Sequence, residues 1–184
     1  MEPATVRNEA VLRLFFALWP DETTWTALDR IGASLHLSWG GRRTRRESLH
    51  LTLAFLGDTA AERLDTLRQL AARVAGEAFT LTLDSPGCWP HNHVGWLGVS
   101  VTPPALAQLV SDLKRLLRAG EFTVDEQRYV PHVTLLRNAR CGAPPPCEPV
   151  VWRALRFVLL ASPNHGSGTD YDVLGEWPLP VALA

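Results

Sequence analysis

The sequence lacks a basic excess. Eighteen Lys and Arg stand against nineteen Asp and Glu, a formal net charge of −1. Proteins that grip long nucleic acid usually carry a clear positive surplus, so any RNA contact is expected at an end or a single linkage. No apolar run approaches the ~18 residues that a membrane span needs. The stretch Met1–Ala10 has no basic segment followed by a long apolar core. No signal peptide is therefore expected, and a soluble cytoplasmic protein without a membrane partner is the default. Cysteine is scarce: Cys88, Cys141 and Cys147 are all there is. The odd count and the absence of Cys-x-x-Cys predict a reduced compartment, no disulfide framework and no structural zinc. No phosphate-cradling glycine loop, carboxylate cluster or ligand-spaced Cys set occurs, so neither metal nor cofactor is expected.

Apolar residues are plentiful, at 46% of 184. That is enough for a real core in a single domain over residues 1–184, or two small lobes sharing an interface. Val11–Trp19 reads as a central strand ending at Pro20. Asp21 and Glu22 open a helix to about Leu35, with Trp25, Leu28 and Ile31 buried. Strands are expected near 49–56, 79–83, 94–101, 132–137, 152–162 and 169–177. A second helix follows Thr59–Glu62, which has the capping-box form, and ends near Gly76. Residues 84–92 read as a Pro/Gly loop. A third helix runs from Pro103 to Gly120 with a long leucine face. The class is α+β with about seven strands and helices outside.

One short pattern occurs twice: His50-Leu51-Thr52-Leu53 and His132-Val133-Thr134-Leu135. Side chains alternate along a strand, so each copy puts an imidazole and a hydroxyl on one face and aliphatic anchors on the other. A lone copy would most simply be a strand with a half-buried His. Two copies use two of only six histidines in the same frame, one per half, which points to a repeated unit. Arg42, Arg43, Arg45 and Arg46 precede the first copy; they are either a solvated loop or a device for steering phosphate or RNA.

Two imidazoles on one site suit general acid–base chemistry, because His titrates near neutrality and one can be charged while the other is neutral. The Thr hydroxyls and a nearby Arg would hold the non-bridging phosphate oxygens. His91 and His93 could ligate a metal with the motif histidines, but without a further ligand nearby in sequence they read as a loop pair. His36 and His165 read as surface or loop residues, and the seven Trp as core or interlobe packing, with Trp89 able to flank the cleft.

The paired motifs resemble the 2H phosphoesterases, and more closely the bacterial RNA 2′,3′-cyclic phosphodiesterases, once called 2′-5′ RNA ligases. Arg13–Leu18, Phe79–Asp84 with Gly87 and Trp89, and Gly95–Gly98 resemble further strands of that family. The resemblance covers about Leu12 to Trp177. It implies a bilobal, pseudo-two-fold duplication, two mostly antiparallel sheets facing a central cleft. It implies metal-independent hydrolysis of an RNA-terminal 2′,3′-cyclic phosphate to a 2′-phosphate, reversible as 2′-5′ ligation. His50 would be the proton donor and His132 the acceptor. Thr52, Thr134 and Arg137 would bind phosphate, Phe16 would pack on the nucleoside base unless it is plain core, and Arg46 would steer RNA. The partner would be an RNA end, met by a monomer. Two other readings stand beside this one: a phosphodiesterase for small cyclic nucleotides, and a non-catalytic nucleotide-binding module on the same fold.

Overall fold

The computed structural model describes residues 10–162 and 171–181. Strand β1 (Val11–Leu18) leads to helix α1 (Glu22–Trp39), a two-residue strand β2 (Arg42–Arg43), and β3 (Leu51–Ala60). Helix α2 (Leu64–Ala71) follows, then β4 (Phe79–Leu83), β5 (Ser85–Trp89) and β6 (Val94–Gly98). Helix α3 (Pro104–Ala119) precedes β7 (His132–Arg137), β8 (Val150–Ala154), β9 (Arg156–Ser162) and β10 (Asp172–Pro178). The main sheet runs β10-β9-β1-β3-β7-β6-β5, with β2 also paired to β7; β4 and β8 form a separate ribbon. All pairings are antiparallel. No helix among the described residues is long and apolar enough to cross a membrane.

The main sheet is two half-sheets joined at one point. β3 and β7, the two His-x-Thr strands, meet only at Leu51↔Val133. Leu51, Leu53, Val133 and Leu135 are all essentially buried and share one core with Leu28 and Leu35 of α1 and Leu113 of α3. The apolar positions of both motifs are thus the anchors that the alternation predicts.

β1 is apolar on both faces because both are covered. Leu14, Phe16 and Leu18 enter the main core. Phe15 and Ala17 join Val158 and Leu160 in a second cluster, against Trp19 and Tyr171. Helix α1 starts where expected: the Asp21 side chain accepts from the Thr24 amide at 2.7 Å. It continues past Leu35 because its buried stripe does, through Leu35 to Trp39, and Gly40 stops it at φ +61°.

Five expectations are corrected. Thr59–Glu62 is not a capping box: β3 extends through Ala60, Thr59 pairs with Leu12, and no side chain caps α2. Gly57 does not end that strand. It sits at φ +69° beside a register shift, where Leu14 pairs with Gly57 but Phe15 with Phe55, leaving Leu56 as the extra residue of a bulge. Residues 85–89 form the edge strand β5, where Pro86 is tolerated and Gly87 leaves room for the Trp96 ring. Residues 152–162 are two strands, split at Leu155 between the two sheets.

The cysteines are the fifth. Cys88 and Cys141 are bridged, with Cα atoms 5.4 Å apart, and Cys147 is free. The β5–β6–β7 ladder closes the 53-residue separation between them, which local cysteine spacing does not show.

Candidate active site

His50 lies immediately before β3, and His132 is the first residue of β7. Extending the Leu51↔Val133 register by one residue each way sets His50 across from Thr134 and Thr52 across from His132. The cavities follow this diagonal. One, of about 240 Å³, is lined by His50 and Thr134 with Arg13, Arg137 and Tyr171. The other, of about 400 Å³, is lined by His132 with Trp89, Tyr129, Lys114 and Arg128. Thr52 and Phe55 line both, so the two are halves of one cleft.

The two imidazoles are held alike. His50 Nδ1 is 2.8 Å from the Ser48 carbonyl oxygen, and His132 Nδ1 is 2.7 Å from that of Val130. A carbonyl only accepts, so each Nδ1 carries the hydrogen and each neutral ring offers a lone pair at Nε2. Aromatic rings wall both. Phe15 is 4.9 Å and Tyr171 5.2 Å from the His50 ring centre. Trp89 stands edge-on to His132 at 4.6 Å.

These walls strip water from the imidazoles, which disfavours their charged forms. Burial, foremost, pushes the His50 pKa down to about 4; the charges of His132 and Arg137 push the same way, and the Ser48 hydrogen bond opposes. Burial also lowers the His132 pKa, against the bond to Val130. Both rings are therefore neutral in the free protein near pH 7. An anion bound between them would raise both, since an opposite charge nearby favours the charged form.

Thr52 and Thr134 are half-buried and line the cleft, and Arg137 stands exposed at its edge. Two expected contacts are not brought to the cleft. Phe16 is fully buried against Phe157 and Trp177. Parity on β1 assigns the cleft face to Phe15 instead. Arg46 turns to α1, pairing with Glu22 at 2.6 Å, reaching the Thr26 hydroxyl at 3.1 Å and lying over Trp25. Arg43 likewise pairs with Asp29.

His91 is exposed beside His132, and the His93 carbonyl accepts from the Ala139 amide. Among the described residues no three His, Cys, Asp or Glu side chains come together as a metal-binding group. His36 is half-buried on α1, with its Nδ1 unpaired among the described residues; His165 lies outside them. Sequence reasoning missed Arg13, Phe15, Tyr129 and Tyr171. Alternation from Phe16 could have found the first two, since Arg13 and Phe15 share the parity opposite to the core face. Nothing in the sequence marks the two tyrosines.

A cleft between two antiparallel half-sheets, each presenting one His-x-Thr strand, defines a two-histidine phosphoesterase architecture. The family model of the 2′-5′ RNA ligase superfamily matches residues 20–158, and the chain belongs to that family. It is 39% identical to the Escherichia coli RNA 2′,3′-cyclic phosphodiesterase over 76% of this chain and 80% of the relative. With the Thermus thermophilus protein of the same name it shares 30% identity, over 91% and 90% of the two chains. The crystal structure of E. coli LigT complexed with 3′-AMP superposes with a TM-score of 0.83 at 34% identity, covering 92% of this chain and 99% of that one.

Proposed function

We propose that this chain hydrolyses the 2′,3′-cyclic phosphate at RNA ends to a 2′-phosphate, with His50 and His132 as its acid and base. The observation that carries this is the matched pair of imidazoles. Each is fixed through Nδ1 by a carbonyl two residues upstream, and the two flank the single junction of the half-sheets. The relatives named RNA 2′,3′-cyclic phosphodiesterase support the substrate class.

In this reading water attacks phosphorus on the His132 side, and the neutral His132 Nε2 takes its proton. The P–O3′ bond breaks, and O3′ leaves with a proton from the His50 imidazolium. Two protein groups perform both transfers, each worth ~10²–10⁴ in rate. The substrate itself resolves the low pKa of His50. Its negative charge displaces the repulsion from Arg137 and His132, so the imidazolium forms as the anion binds. Thr52, Thr134 and Arg137 donate to the non-bridging oxygens, where charge accumulates. The reverse reaction would join ends through a 2′-5′ linkage. Both histidines come from one chain, which supports a monomer as the working unit; we place it in the cytoplasm, where the Cys88–Cys141 bridge has to withstand reduction.

The test is a short RNA ending in 2′,3′-cyclic phosphate, incubated with strong chelator present. A 2′-phosphate end is expected. A 3′-phosphate would reverse the bond assignment, and no turnover would reject the reading.

A further inference from the structure

Arg13 stands in the His50 half of the cleft without a carboxylate partner among the described residues. Among the described residues, Arg43, Arg46, Arg68, Arg115, Arg118 and Arg156 each pair with an Asp or Glu. Arg13 and Arg137 do not, although both line the same cavity. Arg13 even has Asp58 as its cross-strand neighbour on β3, yet its guanidinium lies over the Phe55 ring, 5.1 Å from the centre. Two uncompensated guanidinium groups in one small cavity repel each other and favour an anion between or beside them. Hydroxyls add to this. Thr44 and Ser162 line the cavity too, and the Thr44 Oγ1 is buried with no partner among the described residues.

Position along the sheet separates Arg13 from the reacting phosphate. Thr52 pairs with Ala17, Phe55 with Phe15, and Asp58 with Arg13. Arg13 is thus four residues from the Thr52 level, about 14 Å at the usual strand rise, and its long side chain returns part of that distance to Phe55. Arg137, by contrast, belongs to the His-x-Thr strand itself. The two cations therefore suit two successive phosphates.

We propose that Arg13 anchors the phosphodiester next to the scissile cyclic phosphate, so that the cleft takes a dinucleotide end in preference to a single nucleotide. This rests on the hydrolytic reading above. It also relocates RNA capture from the Arg42–Arg46 loop to the cleft wall.

The experiment compares kcat/KM for a mononucleotide 2′,3′-cyclic phosphate and for a dinucleotide ending in one. The wild-type protein is expected to favour the dinucleotide. Arg13→Gln should cut that preference about tenfold, mainly through KM, as for loss of one charge-assisted phosphate contact. It should also reduce the salt slope for the dinucleotide by about 0.7–1. Arg13→Lys, which keeps the charge without the fork, should restore part of the preference. On unaltered protein, a dinucleotide with an uncharged methylphosphonate at its internal linkage should lose the preference as well. An unchanged preference in Arg13→Gln, or none in the wild type, overturns the assignment while leaving the hydrolytic reading intact. Failure to hydrolyse either substrate would reject that reading itself.

Discussion

The Tyr129 hydroxyl donates to the main-chain carbonyl of Thr52 at 3.0 Å, across 77 residues of sequence. Tyr129 stands on the segment that leads into β7, and Thr52 is on β3, so this bond ties the approach of one motif to the strand of the other. Tyr129→Phe keeps the ring and removes this hydrogen bond, a cost of about 1–2 kcal/mol. Calorimetry should show a Tm lower by about 2–8 °C. Turnover should fall less than for either histidine variant, and an unshifted Tm would remove the structural role.

His50→Ala and His132→Ala should each slow cyclic-phosphate hydrolysis by at least ~10²-fold with the fold retained by circular dichroism. The double variant should be little worse than the singles, because the pair acts as a unit. A substrate with a nitrophenolate leaving group needs no proton on departure. On it, His50→Ala should recover part of its activity and His132→Ala should not; the opposite pattern swaps the two roles.

The pH dependence should separate free from bound protein. Both imidazole pKa values are depressed by burial in the free protein, that of His50 to about 4. The bell for kcat/KM reports the free protein, so its acid limb should lie below pH 6.5. The bell for kcat reports the complex, where the bound anion raises both values, and should be displaced to higher pH. Coincident bells would contradict this coupling. Stability follows the same sign. The unfolded state binds a proton at His50 near pH 6.5, whereas the folded state holds out to about 4. The folded state is therefore undisturbed above pH 6.5 and loses stability as pH falls between those values. His50→Gln should flatten that part of the urea-unfolding profile.

Arg46→Ala should change KM for an oligonucleotide less than about twofold and leave stability nearly unchanged, because its partners are Glu22, Thr26 and Trp25 at the exposed surface of α1. A large rise in KM would return this residue to RNA capture.

Thiol titration of the denatured protein without reductant should find one reactive cysteine, Cys147, and three after reduction. Three before reduction would show that the Cys88–Cys141 bridge does not form.

Much of the site could be read in advance because it is written in local alternation. His50, Thr52, His132 and Thr134 occupy the expected face, with Leu51 and Val133 beneath. What escaped depends on contacts distant in sequence. Phe16 and Phe15 look equivalent in a strand covered on both sides, and only the cluster around Val158 and Tyr171 distinguishes them. Arg46 belongs to α1 through partners 20–24 residues away. Pro86 and Gly87 signal a turn locally, yet an edge strand beside Trp96 tolerates both.

The lone Leu51↔Val133 pair makes catalytic alignment a matter of counting. A strand has a period of two, so slipping either motif by one residue would turn its imidazole and hydroxyl into the apolar interior and bring leucine or valine to the water. No second rung between β3 and β7 guards against that error, although their ladders to β1 and β6 hold each strand on its other side. The penalty for burying a ring and a hydroxyl in place of Leu51 or Val133 acts in the same direction, which makes the greasy side of each motif a proofreader of its polar side.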